Sequence, residues 1–203
     1  MDKKIVIPGE FLTDQRKKLG SNVFLLNNKV YSQVVGLLSE STDYISVVAL
    51  NGIYKPNVND GIILIVKDDL PNGYVLEYNS FTDTFLPKSM IKKELKKGQI
   101  IFARLSSVND NDTIDIDHIN ILPKGRLFNA SPVKVPRLIG KNDSMLNLFK
   151  NLLKANIVIG KNGWIWYNCD NYLILENAIN LIINNSQKSN LTNSIKEYIE
   201  KNI

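Results

Sequence analysis

The sequence predicts a multi-domain protein in which β structure is followed by an α+β domain. Short apolar runs separated by turn-forming residues fill the first 122 residues. An apolar stripe with the period of a helix, about 3.6 residues, begins at Met145. Net charge also changes along the chain, from +2 over residues 1–56 to −3 over 57–122 and +6 over 123–203. We therefore predict three domains with these boundaries.

Residues 1–56 are predicted to form a small N-terminal β domain. Its apolar runs cover residues 5–7, 23–26, 30–38 and 44–50. Turn-forming pairs such as Pro8-Gly9 separate these runs, because proline and glycine favour the backbone angles of tight turns. So short a segment has little apolar surface for a core of its own, and we expect it to pack against a neighbouring domain or a partner.

Residues 57–122 are predicted to form a small closed β-barrel of the OB kind. Strand-like runs cover residues 61–66, 73–78, 99–105 and 113–122, and about four or five short strands suit such a barrel. A group of lysines precedes the run 99–105, at Lys88, Lys92, Lys93, Lys96 and Lys97. We expect this group to attract a polyanion to the barrel.

Residues 123–203 are predicted to form an α+β domain of KH type. Met145, Phe149 and Leu153 lie on one face of an amphipathic helix. The pair Asn162-Gly163 then separates two strand-like runs and predicts a hairpin, because both residues tolerate positive φ. Two further helices follow, the last over residues 191–203. Strand, helix, hairpin and helix is the order of a KH domain.

Two residue types are nearly absent, and this narrows the chemistry that the chain can perform. Cys169 is the one cysteine and His118 the one histidine. An intramolecular disulfide, a cysteine-built zinc site and a mechanism with paired histidines are therefore excluded. We expect no cofactor and no metal, and His118 is interpreted as an ordinary residue of its strand.

The sequence shows no sign of a membrane segment. No apolar run approaches the roughly 18 residues that a membrane span needs, and the N-terminus lacks a signal-peptide core. We expect a cytoplasmic protein that does not bind a membrane.

Several segments together resemble a known family. The motif Gly160-Lys161-Asn162-Gly163, with its flanking residues 157–166, and the stretch 133–146 are similar to the KH signature of the archaeal exosome's RNA-binding cap subunit. Residues 74–80 and 85–87 resemble the RNA-binding OB barrel of that family, which is of the ribosomal S-one type. Residues 6–12 and 47–56 resemble its N-terminal domain, and residues 191–196 resemble its C-terminal end.

The resemblance implies a role without catalysis. In that family the subunit sits in several copies, alone or beside a cap subunit with a zinc ribbon, on a ring of RNase PH-like subunits. The cap recruits single-stranded RNA and guides its 3′ end into the ring for 3′→5′ degradation or tailing. For this chain the expected partners are therefore RNA, the ring subunits and other cap subunits.

One motif departs from the family. The KH loop is commonly Gly-x-x-Gly, whose backbone clamps RNA phosphates, whereas here it reads Gly140-Lys141-Asn142-Asp143. A carboxylate at the fourth position repels phosphate and lacks glycine's close approach. We expect this loop to contribute less to RNA binding than in other KH domains.

The residues expected to contact a partner fall into two groups, one for RNA and one for the ring subunits. The expected RNA contacts are Lys88, Lys92, Lys93, Arg104, Lys124, Arg126, Lys134, Arg137, Lys141 and Lys161, with Tyr74 and Phe85 as rings that stack on bases. The expected ring-docking residues are Pro8, Gly9, Glu10, Tyr54 and Pro56.

Trp164 and Trp166 share one side of a strand, and we expect Trp166 to be buried and Trp164 to be partly exposed.

Two other functions stay open from the residues alone. A free-standing S-one/KH factor, for example in translation, would use the same RNA-binding domains. A metal-dependent nuclease is suggested by Asp110, Asp112, Asp115 and Asp117, but these residues follow one loop and strand. Their spacing also lacks the glycine and glutamate of a calcium loop, so solvation of the loop is the simpler interpretation.

Overall fold

The computed structural model describes residues 4–109, 113–186 and 190–203. The chain divides into two compact units, one that ends at Gly52 and one that begins at Ile53. The prediction of β structure followed by an α+β domain is confirmed. In the described residues, no helix is long and apolar enough to cross a membrane.

The first unit consists of two small sheets. Its described strands are β1 (Ile5–Val6), β2 (Phe11–Thr13), β3 (Lys18–Leu19), β4 (Val23–Leu26), β5 (Lys29–Ser32), β6 (Gly36–Glu40) and β7 (Tyr44–Ala49). One sheet has the order β1-β6-β7-β3, and the other has the order β2-β5-β4. A small core lies between them, formed by Val6, Val23, Val30, Ile45 and Val47.

The second unit begins with a five-stranded barrel. Its strands are β8 (Gly61–Leu70), β9 (Gly73–Glu77), β10 (Thr84–Pro87), β11 (Ile100–Val108) and β12 (Ile114–Ile121), in the order β10-β9-β8-β11-β12. The Thr84 hydroxyl donates to the Ile114 carbonyl and so joins the two outer strands. Alternate side chains of the strands fill the interior, among them Ile62, Leu64 and Leu76.

The second unit continues as a KH-type domain. Its elements are β13 (Arg126–Asn129), α1 (Val135–Ile139), α2 (Ser144–Leu153), β14 (Asn156–Ile159), β15 (Trp164–Asn168), α3 (Tyr172–Asn184) and α4 (Leu191–Asn202). The three strands form an antiparallel sheet in the order β13-β15-β14. Met145, Phe149 and Leu153 face the core from α2, as their spacing predicts.

The barrel and the KH domain pack through an apolar contact between their sheets. Ile63 of β8 is buried together with Trp164 and Trp166 of β15. Burial of Trp166 is confirmed. The expectation that Trp164 is partly exposed is wrong, because the barrel covers this ring and leaves it 6% exposed.

The turn between β14 and β15 docks on the barrel by hydrogen bonds. Asn162 is fully buried, and its amide nitrogen donates to the carbonyls of Ile63 at 2.7 Å and Tyr78 at 2.8 Å. The Ile63 N–H donates to the Asn162 side-chain oxygen at 3.3 Å, and the Lys161 N–H donates to the Gly61 carbonyl at 2.9 Å. These bonds fix the orientation of the KH domain on the barrel.

Candidate nucleic-acid interface

The loop between α1 and α2 has the position of the phosphate-clamping loop of KH domains. Gly140 has φ +78°, and a side chain there would come within 2.7 Å of the Met145 nitrogen. Asn142 and Asp143 also have left-handed backbone, with φ +52° and +59°. The Asp143 side chain is exposed, so a negative charge lies where a phosphate would approach.

Basic side chains surround this loop. Arg137 and Lys141 line a cleft of about 340 Å³ together with Thr192 and Asn193 of α4. Lys134 is close to Arg137 in the sequence, and its ammonium donates to the Ser186 hydroxyl at 2.7 Å. Burial, together with the charge of Arg137, lowers the pKa of Lys134. Lys134 and Arg137 therefore lie close enough for their charges to repel.

A second pair of expected RNA contacts lies around another pocket. Lys124 and Arg126 line a pocket of about 270 Å³ beside Cys169. The Arg126 guanidinium lies over the Tyr172 ring, 3.7 Å from its centroid. This cation–π contact holds the guanidinium in place without neutralising its charge. Burial, with the nearby Asp170 charge, raises the pKa of the Cys169 thiol, which makes it a poor nucleophile.

The barrel lysines differ in how far their charge is neutralised. Lys88 pairs with Asp69 at 2.7 Å, and this hydrogen bond raises the pKa of Lys88. Lys97 pairs with Asp68 at 2.7 Å. Lys92 and Lys93 are exposed and form no ion pair within the described residues. These two are therefore better placed to meet a phosphate than Lys88.

Two further expected contacts are Arg104 and Lys161. Arg104 is exposed on β11, opposite Asp117 of β12. Lys161 is exposed on the turn that Asn162 anchors. Both side chains are accessible.

The two aromatic residues expected to stack on bases have different environments. The Tyr74 ring is 1% exposed, and its hydroxyl accepts a hydrogen bond from the Leu95 N–H at 3.0 Å. Its proposed stacking role is therefore wrong, because the ring belongs to the barrel core. Phe85 is 48% exposed, and its ring remains available to a base.

The expected docking residues are divided between the two units. Pro8, Gly9 and Glu10 form an exposed turn in the first unit, where Glu10 pairs with Lys4 at 2.8 Å. Tyr54 is buried in the barrel core, and its hydroxyl donates to Asp60 at 2.9 Å. Burial and this bond raise the pKa of Tyr54. A docking role for Tyr54 is therefore wrong, whereas Pro56 is half-buried beside it.

The aspartates do not assemble a metal site within the part of the chain that is described. Asp110 and Asp112 lie outside the described residues. Asp115 accepts a hydrogen bond from the Ser107 hydroxyl. Within the described ranges, no three His, Cys, Asp or Glu side chains are grouped to hold a metal ion.

Sequence reasoning missed an aromatic face on the first unit. Tyr31 of β5 contacts Phe11 edge-on, with 6.0 Å between ring centroids, and stacks on Phe24 at 5.6 Å. The strand register places these three rings on one side of the β2-β5-β4 sheet. Alternation of aromatic residues with Val23 and Val30 was the signal that could have revealed this face.

Known proteins match both ends of the chain and nearly its whole length. The model for the Exosome RNA binding protein RRP4 N-terminal domain matches residues 3–51, and a KH domain model matches residues 125–172. The exosome complex component Rrp4 of Methanosarcina mazei is 32% identical over 98% of this chain and 83% of its own length. The chain belongs to the Rrp4 family.

Other members and a solved structure agree with this assignment. The Rrp4 proteins of Pyrococcus furiosus and Thermococcus kodakarensis are each 30% identical and cover 98% and 97% of the chain. A crystal structure described as an exosome complex RNA-binding protein has a TM-score of 0.66 and 24% identity, over 74% of this chain and 97% of that chain. That likeness shows the shared fold.

Proposed function

We propose that this protein is a non-catalytic RNA-binding cap subunit of an exosome, acting in the cytoplasm. It recruits single-stranded RNA and guides the 3′ end into an RNase PH-like ring, beside further copies of itself or a zinc-ribbon cap subunit. Membership of the Rrp4 family over nearly the whole chain carries the proposal. We keep three domains in this proposal, with the first boundary moved from residue 56 to residue 52 because Tyr54 packs in the barrel core.

The charge of the KH domain supports RNA as the ligand. Residues 123–154 contain seven Lys or Arg residues and one acidic residue, Asp143. None of the seven forms an ion pair with a described residue. Unpaired cations at this density favour a polyanion, because each phosphate contact releases counterions.

The surface of the first unit supports docking to protein subunits. Among the described residues, nine of the seventeen exposed large apolar side chains lie in this unit, although it is the smaller of the two. Exposed apolar surface of this kind marks protein interfaces. We propose that the face of Phe11, Phe24 and Tyr31, with the turn at Pro8, Gly9 and Glu10, contacts the ring.

A degradation assay tests the proposal. A 5′-labelled single-stranded RNA is incubated with the purified ring, with this protein, or with both, in the presence of phosphate. We expect no degradation by this protein alone and faster degradation by the ring when the protein is added. Degradation by the protein alone would contradict a non-catalytic role. RNA binding without any effect on the ring would favour a free-standing factor.

A further inference from the structure

A groove of about 560 Å³ lies on the barrel between strand β12 and the segment that follows β10. The lining side chains that carry chemistry are Met90, Lys92, Lys93, Asp117, His118 and Asn120. Sequence patterns gave the lysines a role and treated His118 as an ordinary strand residue. The groove brings them together.

A β-bulge brings His118 into this groove. Phe102 of β11 lies opposite Asn120, and Arg104 lies opposite Asp117. Two residues of β12, His118 and Ile119, therefore oppose one residue of β11. His118 has φ +46°, which is left-handed backbone that is uncommon for residues other than glycine. Bulges of this kind redirect a side chain, and backbone strain of this kind concentrates at functional sites.

The groove carries a surplus of positive charge. Lys92 and Lys93 are exposed and form no ion pair with a described residue, whereas Lys88 and Lys97 of the same lysine group are neutralised by Asp69 and Asp68. One carboxylate, Asp117, opposes these two cations in the lining. An anionic ligand would therefore be attracted here.

The groove also offers apolar surface. Met90 is 58% exposed, and Ile91, Ile119 and Ile121 are half-buried along it. Single-stranded nucleic acid needs this combination, because its phosphates require cations and its bases require flat or apolar partners. An acidic peptide would use the cations but leave the apolar surface exposed.

We propose that this groove binds single-stranded RNA, with phosphates on Lys92 and Lys93 and a base stacked on the imidazole of His118. This inference rests on the proposed function and adds a defined subsite to it. Histidine is among the aromatic side chains on which RNA bases stack. The site lies on the barrel and does not involve the altered KH loop.

The single histidine gives a direct probe. The imidazole carbon-bound protons of tag-free protein give one set of NMR signals, because His118 is the one histidine. Addition of a ten-nucleotide oligo(A) RNA is expected to shift these signals upfield through ring-current effects. The shift should be lost in the Lys92→Ala, Lys93→Ala double variant at the same RNA concentration.

Substitution separates binding from a merely structural role. Asparagine tolerates left-handed backbone better than other residues with a side chain, so His118→Asn removes the imidazole without adding strain. We expect unchanged or higher thermal stability and about tenfold weaker RNA binding, the effect of losing one stacking contact. Lys93→Ala should lower the slope of log affinity against log salt by about 0.7. Lys96→Ala removes the same charge outside the groove and should change the affinity less.

The outcomes distinguish this inference from the proposed function. If the wild-type protein binds no RNA, the proposed function fails. If it binds RNA while His118→Asn retains full affinity and the imidazole signals do not move, the groove assignment fails and the function stands. An equal shift of those signals with poly-glutamate would contradict RNA as the ligand of this groove.

Discussion

Asn162 shows how one buried polar side chain can set the geometry of two domains. Its amide satisfies two barrel carbonyls and one barrel N–H, all within the interface that holds the KH domain. The adjacent Gly163 has φ +87°, and a side chain there would lie 2.2 Å from the Ala130 carbonyl oxygen. The Asn-Gly pair therefore combines a tight turn with a domain contact.

Replacing Asn162 with alanine is expected to destabilise the second unit. The carbonyls of Ile63 and Tyr78 would each lose the Asn162 amide as a donor, and removing one partner of a buried hydrogen bond costs about 1–3 kcal/mol. We expect the free energy of unfolding, measured by urea denaturation, to fall by about 2–4 kcal/mol. Asn168→Ala is the control, because the bond from its side-chain amide to the Lys124 carbonyl is exposed. Equal effects of the two substitutions would contradict the role given to Asn162.

Tyr74 is expected to matter for stability and not for RNA. Tyr74→Phe keeps the buried ring but removes the acceptor of the Leu95 N–H. The free energy of unfolding should fall by about 1–2 kcal/mol, while the affinity for single-stranded RNA stays unchanged. The exposed Phe85 provides the comparison, since Phe85→Ala should weaken RNA binding. Weaker RNA binding by a fully folded Tyr74→Phe protein would restore Tyr74 as a contact.

At the scale of elements, the KH loop combines helpful and unfavourable features for binding a phosphate. Gly140 permits close approach of the chain, and Arg137 and Lys141 supply charge. Asp143 opposes them with an exposed carboxylate. RNA contact by this domain should therefore depend on side-chain cations more than on the loop backbone.

Neutralising Asp143 is expected to strengthen RNA binding. Asp143→Asn removes the charge and suits the left-handed backbone at this position. We expect the affinity for single-stranded RNA to rise several-fold at low salt, measured by fluorescence anisotropy, with little change at high salt, where charges are screened. Asp143→Gly should show at least the same gain. A weaker affinity in both variants would mean that Asp143 contacts the RNA favourably.

Arg137 is expected to contribute one phosphate contact. Arg137→Ala should lower the affinity and reduce the salt slope by about 0.7, the value for one contact with a single strand. Lys67→Ala is the matched control, because Lys67 is neutralised by Asp83 at 2.6 Å. An unchanged slope for Arg137→Ala would make this cation part of the ordinary surface.

Sequence patterns predicted elements whose signal is local. The Asn162-Gly163 hairpin and the apolar stripe of α2 depend on neighbouring residues, and both are present as predicted. The run 30–38 was predicted as one strand but is divided between β5 and β6. The Ser32 hydroxyl bonds to the Val34 carbonyl at 2.8 Å and turns the chain there.

Features that depend on distant partners could not be predicted in the same way. Burial of Tyr54 and Tyr74 depends on how the barrel closes, and alternation along one strand does not reveal which face is inside. The bulge that redirects His118 depends on the pairing of β11 with β12. The ion pairs that neutralise Lys88 and Lys97 join segments separated in sequence.

The two units of the molecule differ in the surface that they expose. The second unit carries the unpaired cations of the KH domain and the barrel groove. The first unit, although it is the smaller, carries nine of the seventeen large apolar side chains that are exposed among the described residues. This division suits a subunit that attaches to protein through one unit and receives RNA on the other.

Disrupting the aromatic face of the first unit is expected to weaken assembly without changing RNA binding. Phe11 is 46% exposed and contacts Tyr31 by its edge, so Phe11→Ser should leave the core intact. We expect reduced binding to the ring in a pull-down and unchanged affinity for RNA. Leu173→Ser, at an exposed apolar residue of α3, is the control. Full ring binding by the Phe11 variant would place the docking surface elsewhere.

The mass of the assembly in solution tests whether this protein is an exosome cap. The protein is mixed with the RNase PH-like ring from the same organism and passed through a size-exclusion column with light-scattering detection. We expect co-elution in one peak whose mass equals the ring plus bound copies of the 23.0 kDa chain. Elution of all the protein apart from an intact ring would contradict an exosome cap.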